Sequence, residues 1–495
     1  MKVLYKIGFR LFLIVFILIV SNRIYSHYFF ESDIQKHTYR DIVDVIPRES
    51  EIVYFGESSN FSVYFEDHDK RAISEYIANY FPTKRFGTVH KGAIHAGIYK
   101  YLMQNFPAQN NVETIIVTLN LRSFGANWIY SDLETALDKS IVLLKGGPAL
   151  KNRFLLSFKG YDIKTKKQRQ EQYKNAWEES LLEFPWNFPY INVNQWDSAM
   201  CHSGIRNHDG TKDWETTALA CHYIKSYAFQ IDTFSNPRIK DFDEIVSYAQ
   251  DQGWNILFNL LAENVETADE LVGDELLYLM RQNRDLLVER YQSKGVCVVD
   301  NMAEVEALYF TDKDWTTEHY WENGRQIIAR NVADSLRGLY ASEYVDIKNK
   351  ERTWFFHDGG TKEKWSQMRS VNSEQAFSGD LSSKVCDTLP YSITMEWPIQ
   401  QIPKTNLNSV RVEAMAFISG FSHNAHLVIE ANGDDLHYQT QKSLENYLPR
   451  VGDWQEFLID FNLPKNISDF ETVKVYIHNP SKESVFIDDM DIRFF

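Results

Sequence analysis

Hydrophobic residues fall into three regimes along the chain. Residues 11–20 (LFLIVFILIV) form an unbroken apolar run behind Lys2, Lys6 and Arg10. From about residue 39 to residue 340, short apolar runs alternate with stretches of helical period. Residues 51–55 (EIVYF), 114–119 (TIIVTL), 255–261 (NILFNLL) and 296–299 (VCVV) have the length and β-branched or aromatic content of buried strands. Residues 86–89 predict a short fifth strand. Helical spacing is predicted over 70–80, 93–106, 242–252, 271–291 and 323–340, the last with Ile328, Val332 and Leu336 on one face. Buried strands alternating with helices predict an α/β domain over 31–345, a three-layer, doubly wound parallel sheet covered on both faces. The pattern weakens over about 145–238, which is rich in Trp, Asn, Asp and Lys. That stretch reads as an insertion, partly helical over 164–182, that covers or shapes an active site.

From 354 to 495 the period changes to two. Residues 409–417 (SVRVEAMAF), 426–431 (HLVIEA), 473–477 (VKVYI) and 485–487 (VFI) alternate between turn clusters, one of them at 432–435 (NGDD). Short strands at this spacing predict an all-β sandwich of jelly-roll type. Residues 346–353 are the expected linker.

Length and composition narrow the function classes. A chain of 495 residues allows two or three domains. The formal net charge of -16 argues against nucleic-acid binding through a basic surface. An aromatic content of 14% fits carbohydrate handling, though large cores have it too. Lys2, Lys6 and Arg10 ahead of the apolar run form the charged region of a targeting segment. Ten apolar residues are short of the ~20 that span a bilayer, although residues 7–9 extend the run. Ser21, Asn22 and Arg23 follow, without a small-residue cleavage site. Residues 1–30 therefore read as an uncleaved signal anchor in preference to a cleaved signal peptide. In either case the remainder is expected outside the membrane, anchored facing the periplasm or exterior, or secreted.

Cys201, Cys221, Cys297 and Cys386 form no C-x-x-C pair, so neither zinc nor thioredoxin-type chemistry is indicated. Cys297 reads as a core thiol. Cys201 and Cys221 flank a polar stretch and are candidates for a disulfide in an oxidising compartment.

Ligands of a parallel α/β sheet bind at the carboxyl ends of its strands, so the residues after each strand carry the candidate chemistry. Gly56-Glu57-Ser58-Ser59-Asn60 follows the first strand and offers Ser58 as a nucleophile, given a histidine to activate it. Gly92, in Lys91-Gly92-Ala93, precedes a helix, where its N–H can face an oxyanion. Asn120 directly follows the strand over 114–119, and its amide can donate to the same charge. His319, in Asp314-Trp315-Thr316-Thr317-Glu318-His319, lies between the last strand and the last helix. Taken singly, each also reads as an ordinary turn or cap residue. Glu263-Asn264 and Asp300-Asn301 also end strands; they are weighed as site-facing, Glu263 and Asn264 with Glu57 as substrate contacts, or as caps.

Together these four blocks resemble the SGNH (GDSL) hydrolase superfamily, whose fold is flavodoxin-like. Phe55-Gly56-Glu57-Ser58 matches its first block, with Glu57 where Asp is usual. Gly92 matches the second. Thr118-Leu119-Asn120 matches the third, without its usual glycine and following aspartate. His319 with Gly324 matches the last. Thr316 stands where the D-x-x-H aspartate is expected, so Asp314 is the first candidate to orient His319, with Glu318 and Asp312 behind it. The resemblance implies acyl transfer. Ser58 would attack an ester carbonyl, His319 would take its proton, and the Ser58 and Gly92 N–H groups and the Asn120 amide would hold the oxyanion. The acceptor would be water or a sugar hydroxyl. No cofactor and no metal is implied.

Extracytoplasmic members of this superfamily that acylate or deacylate polysaccharides can carry an appended sandwich, so the 354–495 domain is a candidate carbohydrate-binding module. Trp354, Trp365, Trp397 and Trp454 are candidate stacking platforms, with a core role as the broader expectation for most of them. Asp488, Asp489 and Asp491 could ligate calcium, against a solvated strand end. The function expected is a serine esterase or O-acyltransferase on acyl, notably acetyl, esters of cell-surface or extracellular carbohydrate. The alternative is an inactive SGNH-fold glycan-binding or assembly protein. A lipase is a weaker third reading, since no exposed apolar lid is evident.

Overall fold

A computed structural model describes residues 2–36, 41–64, 66–67, 69–131, 133, 137, 139, 141–161, 165–179, 181–346, 354–356, 365–402, 407–433 and 436–495. In chain order the elements are α1 (Lys2–Tyr28), β1 (Ile52–Gly56), α2 (Ile73–Asn79), β2 (Phe86–His90), α3 (Ala96–Gln104), β3 (Thr114–Leu119), α4 (Ala149–Ser157), α5 (Lys166–Glu179), α6 (Val193–Ser203), α7 (Trp214–Tyr227), α8 (Pro237–Gln252), β4 (Asn255–Leu260), α9 (Asp274–Gln292), β5 (Cys297–Asp300) and α10 (Glu322–Leu336). Then follow β6 (Trp354–Phe356), β7 (Trp365–Ser366), β8 (Val371–Asn372), β9 (Ser382–Val385), β10 (Thr394–Pro398), β11 (Ser409–Ile418), β12 (His426–Asn432), β13 (His437–Ser443), β14 (Trp454–Asn462), β15 (Thr472–His478) and β16 (Val485–Phe494). Contacts divide the chain into two compact units, Met1–Ser59 with Phe86–Glu318, and Asn60–Arg85 with His319–Phe495.

The first unit is α/β. Its main sheet has five strands, all parallel, in the order β2-β1-β3-β4-β5, beside a small antiparallel hairpin of Ile205–Arg206 with Lys212–Asp213. Ile52 lies opposite both Phe86 and Thr114, and Ile115 lies opposite Ile256. β1 and β3 are buried along their whole length, which is why they read as continuous apolar runs rather than alternating ones. Strand order reverses between β1 and β3, the topological switch point at which such sheets bind ligands.

Local signals set the covering helices. Asn236 caps α8 by accepting from the Arg238 N–H at 3.0 Å, Pro237 occupies the first turn, and Gly253 ends the helix at φ 74°. Phe242 of α8 meets Phe258 of β4 edge-on at 5.1 Å, and Tyr291 of α9 meets Phe258 at 4.9 Å. The helix expected over 271–291 is α9, which starts three residues later because Gly273 breaks the backbone at φ 102°, and a separate short helix, Val265–Leu271, precedes it. The 145–238 insertion contributes α4 to α7 to the crossover from β3 to β4.

Helix α1 outruns the ten-residue apolar run: Tyr5–Tyr28 is long and apolar enough to cross a membrane, and its most apolar 18-residue window has mean hydropathy 2.1 and no buried residue.

The second unit holds α2, α10 and two antiparallel sheets. One sheet has the order β8-β9-β16-β11-β14 with β6 beside β16; the other is β13-β12-β15-β10-β7. Their inward residues, including Val412, Ile429, Ile459, Val475 and Ile487, form one core. This is the sandwich that the period-two pattern implied. The expected linker residues 347–353 and Asp434-Asp435 of the 432–435 turn lie outside the described residues, as does the Trp354 side chain.

Three expectations about this chain are corrected. Asp488, Asp489 and Asp491 are neither a calcium site nor a solvated strand end. Asp488 is fully buried and accepts from the Phe377 and Ser378 N–H groups at 2.9 and 3.1 Å. Asp489, at φ 46°, accepts from the Ser378 hydroxyl at 2.6 Å, and Asp491 pairs with Arg493 at 3.1 Å. The aspartates lie on a bulge opposite Glu413 and Met415, and each carries at least one bond to a protein donor. Trp365 is buried in the sandwich core, the role expected for most of the four tryptophans, and the half-buried Trp454 packs beside Phe377 and Phe417 with centroids 5.9 and 5.8 Å away. All four cysteines are free thiols, with no bond between Cys201 and Cys221, and Cys297 is exposed rather than a core thiol.

Candidate functional site

The rim of the parallel sheet at the switch point gathers residues from five separate segments. β1 ends at Gly56, so Glu57 is delivered at the strand's carboxyl end, and Ser58 opens a single helical turn, Ser58–Phe61. β3 ends at Leu119; Asn120 follows and starts the 3-10 turn Leu121–Phe124, which carries Arg122. Glu263 lies just past β4, its N–H held by the Met302 carbonyl at 3.0 Å. Glu318 comes from the segment after β5, and Tyr227 is the last residue of α7.

These side chains are joined by short, directed bonds. Asn120 Nδ2 donates to Glu57 Oε1 at 2.9 Å. Arg122 grips Glu318 with both arms, Nε to Oε1 at 2.6 Å and Nη2 to Oε2 at 2.5 Å. Tyr227 Oη donates to Glu263 Oε2 at 2.5 Å. Behind them, Asn301 Nδ2 donates to Asn259 Oδ1 at 2.9 Å, and Asn259 Nδ2 donates to Tyr54 Oη at 3.0 Å. The Ser226 and Thr316 hydroxyls share a hydrogen bond at 2.9 Å.

The electrostatics are unbalanced. Three buried carboxylates, Glu57, Glu263 and Glu318, face the single guanidinium of Arg122. Burial, reinforced by the negative charge of Glu318, pushes Glu57 up to about 8, against the pull of Asn120 and Arg122. The same two causes raise Glu263 well above the carboxylate range. Burial lowers Arg122, but attraction to Glu318 outweighs it and the net direction is up. At neutral pH the rim therefore holds one Arg–Glu ion pair beside two carboxyls that favour their protonated form. A protonated buried carboxyl donates a hydrogen bond and can act as a general acid.

Several polar atoms here are buried without a partner: Asn120 Oδ1, Glu263 Oε1, Tyr99 Oη and Ser59 Oγ. Native interiors rarely leave such groups unmet, and several together at a switch point mark a place that a ligand or water completes.

The residues expected from sequence are distributed as follows. Ser58, Glu57, Asn120 and Glu263 belong to the first unit, and Ser58 is half-buried. His319 belongs to the second unit and is half-buried ahead of α10. Asp314 is exposed on a bend, Asp312 accepts from the Thr317 hydroxyl, and Glu318 is committed to Arg122. Gly92 does not open α3. It sits in an exposed turn with Ala93 at φ 61°, and α3 is capped instead by His95, whose Nδ1 accepts from the Gly97 N–H at 3.1 Å. Asn264 caps the next helix, accepting from the Thr267 N–H at 3.1 Å. Asp300 pairs with Arg284 at 2.6 Å. Arg122, Tyr227 and Tyr99 were not singled out by sequence. Arg122 had a signal, as a cation two residues past a strand-end asparagine; the tyrosines had none. Among the described residues no cluster of three or more His, Cys, Asp or Glu is arranged to hold a metal ion.

No protein-family model matches the chain, and no curated protein matches it. Among solved structures, it is similar to the CBM22-1 xylan-binding domain of Paenibacillus barcinonensis Xyn10C at 14% identity and TM-score 0.22, over 30% of this chain and 97% of that one. It is also similar to a family 16 carbohydrate-binding module at 11% identity and TM-score 0.21, over 28% of this chain and 98% of that one. A third similarity is to TmCBM61 in complex with β-1,4-galactotriose, at 11% identity and TM-score 0.17, over 26% of this chain and 88% of that one.

Proposed function

We propose that this chain is a membrane-anchored, extracytoplasmic serine esterase or O-acyltransferase of SGNH type, acting on acyl esters of carbohydrate. The observation that carries the reading is the position of Ser58. It opens the turn after β1, at the switch point of a 2-1-3-4-5 parallel sheet, beside a buried polar rim with unmet hydrogen-bonding atoms. In this reading Ser58 attacks the ester carbonyl and His319 is the candidate for the proton. One amide hydrogen of Asn120 is already held by Glu57, which leaves the other to meet an oxyanion. Removal of one such donor costs ~100- to 1000-fold in rate. Protonated Glu57 fixes the Asn120 amide, and Arg122 with Glu318 anchors the opposite side. Helix α1 supplies the membrane anchor, and the sandwich is the candidate for holding the glycan.

A second reading, a glycan-binding or assembly protein without turnover, draws on Thr316 in place of the D-x-x-H aspartate and on the exposure of Asp314. Labelling by a fluorophosphonate probe, together with hydrolysis of a chromogenic acetyl ester, separates the two. The acyl-transfer reading expects both activities in the full chain and loss of both in Ser58→Ala at an unchanged melting temperature. Labelling that persists in Ser58→Ala, or no labelling of the native chain, favours the binding protein.

A further inference from the structure

Helix α4 packs against the half of α1 that lies farther from the N-terminus. Pro148 gives α4 no side-chain cap; Asn22 of α1 takes that role, its Oδ1 accepting from the Leu150 N–H at 3.0 Å. Arg153 Nε lies 3.2 Å from Asp33 Oδ2 and ties α4 to the short helix Phe30–Lys36 that follows α1. Beyond α4 the chain turns back at Lys159, φ 55°, and the Gly160 N–H donates to the Leu155 carbonyl at 2.8 Å.

Between the two helices runs a groove of about 610 Å³. Its apolar wall is Val15, Leu18 and Ile19 of α1 with Phe154, Leu155 and Phe158. Asn22, Arg23 and Lys151 also line it and give it a polar, cationic part. Phe154 and Phe158 are 47% and 77% exposed and stack at 6.1 Å, an open apolar patch of the kind soluble surfaces avoid.

The α1 wall settles what fills the groove. Val15, Leu18 and Ile19 lie within the Tyr5–Tyr28 stretch, so wherever α1 crosses a bilayer this wall faces hydrocarbon. At a rise of ~1.5 Å per residue, Val15 to Arg23 spans ~12 Å. One leaflet's hydrocarbon is ~15 Å deep, half of the ~30 Å core. Arg23 and Lys151 suit a phosphate, as basic side chains at a membrane surface do. We infer that the groove holds an acyl chain of a membrane phospholipid with its phosphate against Arg23 and Lys151, which makes α4 a second membrane-contacting element.

This inference rests on α1 being a membrane anchor, and the experiment tests the two separately. The full chain is placed in vesicles of phosphatidylcholine and phosphatidylglycerol carrying a diazirine in the acyl chain, then irradiated, and lipid adducts are mapped by mass spectrometry. Adducts are expected on α1 and on Phe154, Leu155 or Phe158, above the background on α9. In Phe158→Ser and in Lys151→Glu the α4 adducts should be lost while those on α1 remain. Adducts on α1 alone overturn the groove and leave the anchor standing. Adducts on neither helix overturn the anchor, and the groove with it.

Discussion

Two buried charge clusters in this chain obey opposite rules. In the second unit, Arg325 and Asp67 are both fully buried and pair at 2.9 Å. Arg325 also donates to the Tyr320, Asp69 and Arg71 carbonyls at 2.7, 2.7 and 3.0 Å. Asp67 accepts from the Tyr64 and Glu322 N–H groups at 2.8 and 3.0 Å. One positive charge meets one negative charge, and the remaining polar capacity is spent on backbone. In the first unit, three carboxylates share one guanidinium, and Asn120 Oδ1 and Glu263 Oε1 have no partner. A structural ion pair can be closed on itself. A rim whose extra carboxyls are driven toward their protonated form by burial, and whose oxygens are incompletely bonded, is held by the surrounding fold at a cost in stability, as functional sites are.

Breaking each cluster should give opposite signs. Arg325→Met leaves Asp67 buried without its cation and strands the carbonyls of Ser62, Asp69, Arg71 and Tyr320, so it should lower stability by about 3–5 kcal/mol in chemical denaturation. A loss under about 1 kcal/mol would remove the distinction drawn between the clusters. Glu57→Gln should do the reverse. A carboxyl whose folded value is raised from 4.5 to about 8 keeps its proton in the folded state. Its contribution is fully present below its ordinary value and is lost as pH rises through about 8. Thermal melts of the native chain should therefore fall between these limits, and Glu57→Gln should flatten that fall. A steeper fall in the variant would mean that Glu57 is ionised and structurally paired. The smallest effect is expected at Asn264, which stands at the rim yet behaves as a cap. Asn264→Ala should cost about 1 kcal/mol and leave probe labelling of Ser58 intact. Loss of labelling at unchanged stability would return Asn264 to the site.

Sequence and structure agree best where one physical rule dominates. β1, β3 and β4 are continuous apolar runs because both faces are covered, and such a run is visible without knowing its neighbours. Sandwich strands such as β14 and the second half of β11 announce themselves by alternation, whereas β16 is buried along almost its whole length. Boundaries were harder. α9 starts at Asp274 rather than 271 because Gly273 precedes it at φ 102°, and α3 starts at Ala96 rather than 93 because His95, not Gly92, caps it.

The candidate site was legible in part. Glu57, Ser58, Asn120 and Glu263 follow strands, and position after a strand is a sequence property. Their chemistry is not. That Asn120 serves Glu57, that Glu318 is held by Arg122 and that Tyr227 covers Glu263 depends on segments far apart in the chain. The aspartates at 488–491 show the same limit, because an acidic cluster reads alike whether it faces solvent, a cation or backbone N–H groups.

By itself the sequence determined the order of strands and helices, the apolar N-terminal helix and the switch from an α/β to an all-β pattern, because these follow from local periodicity and burial. Only the tertiary structure decided which buried charges are neutralised and which are left open. A carboxylate's protonation and partners depend on what the fold packs around it and how much water it removes, and no local pattern encodes either.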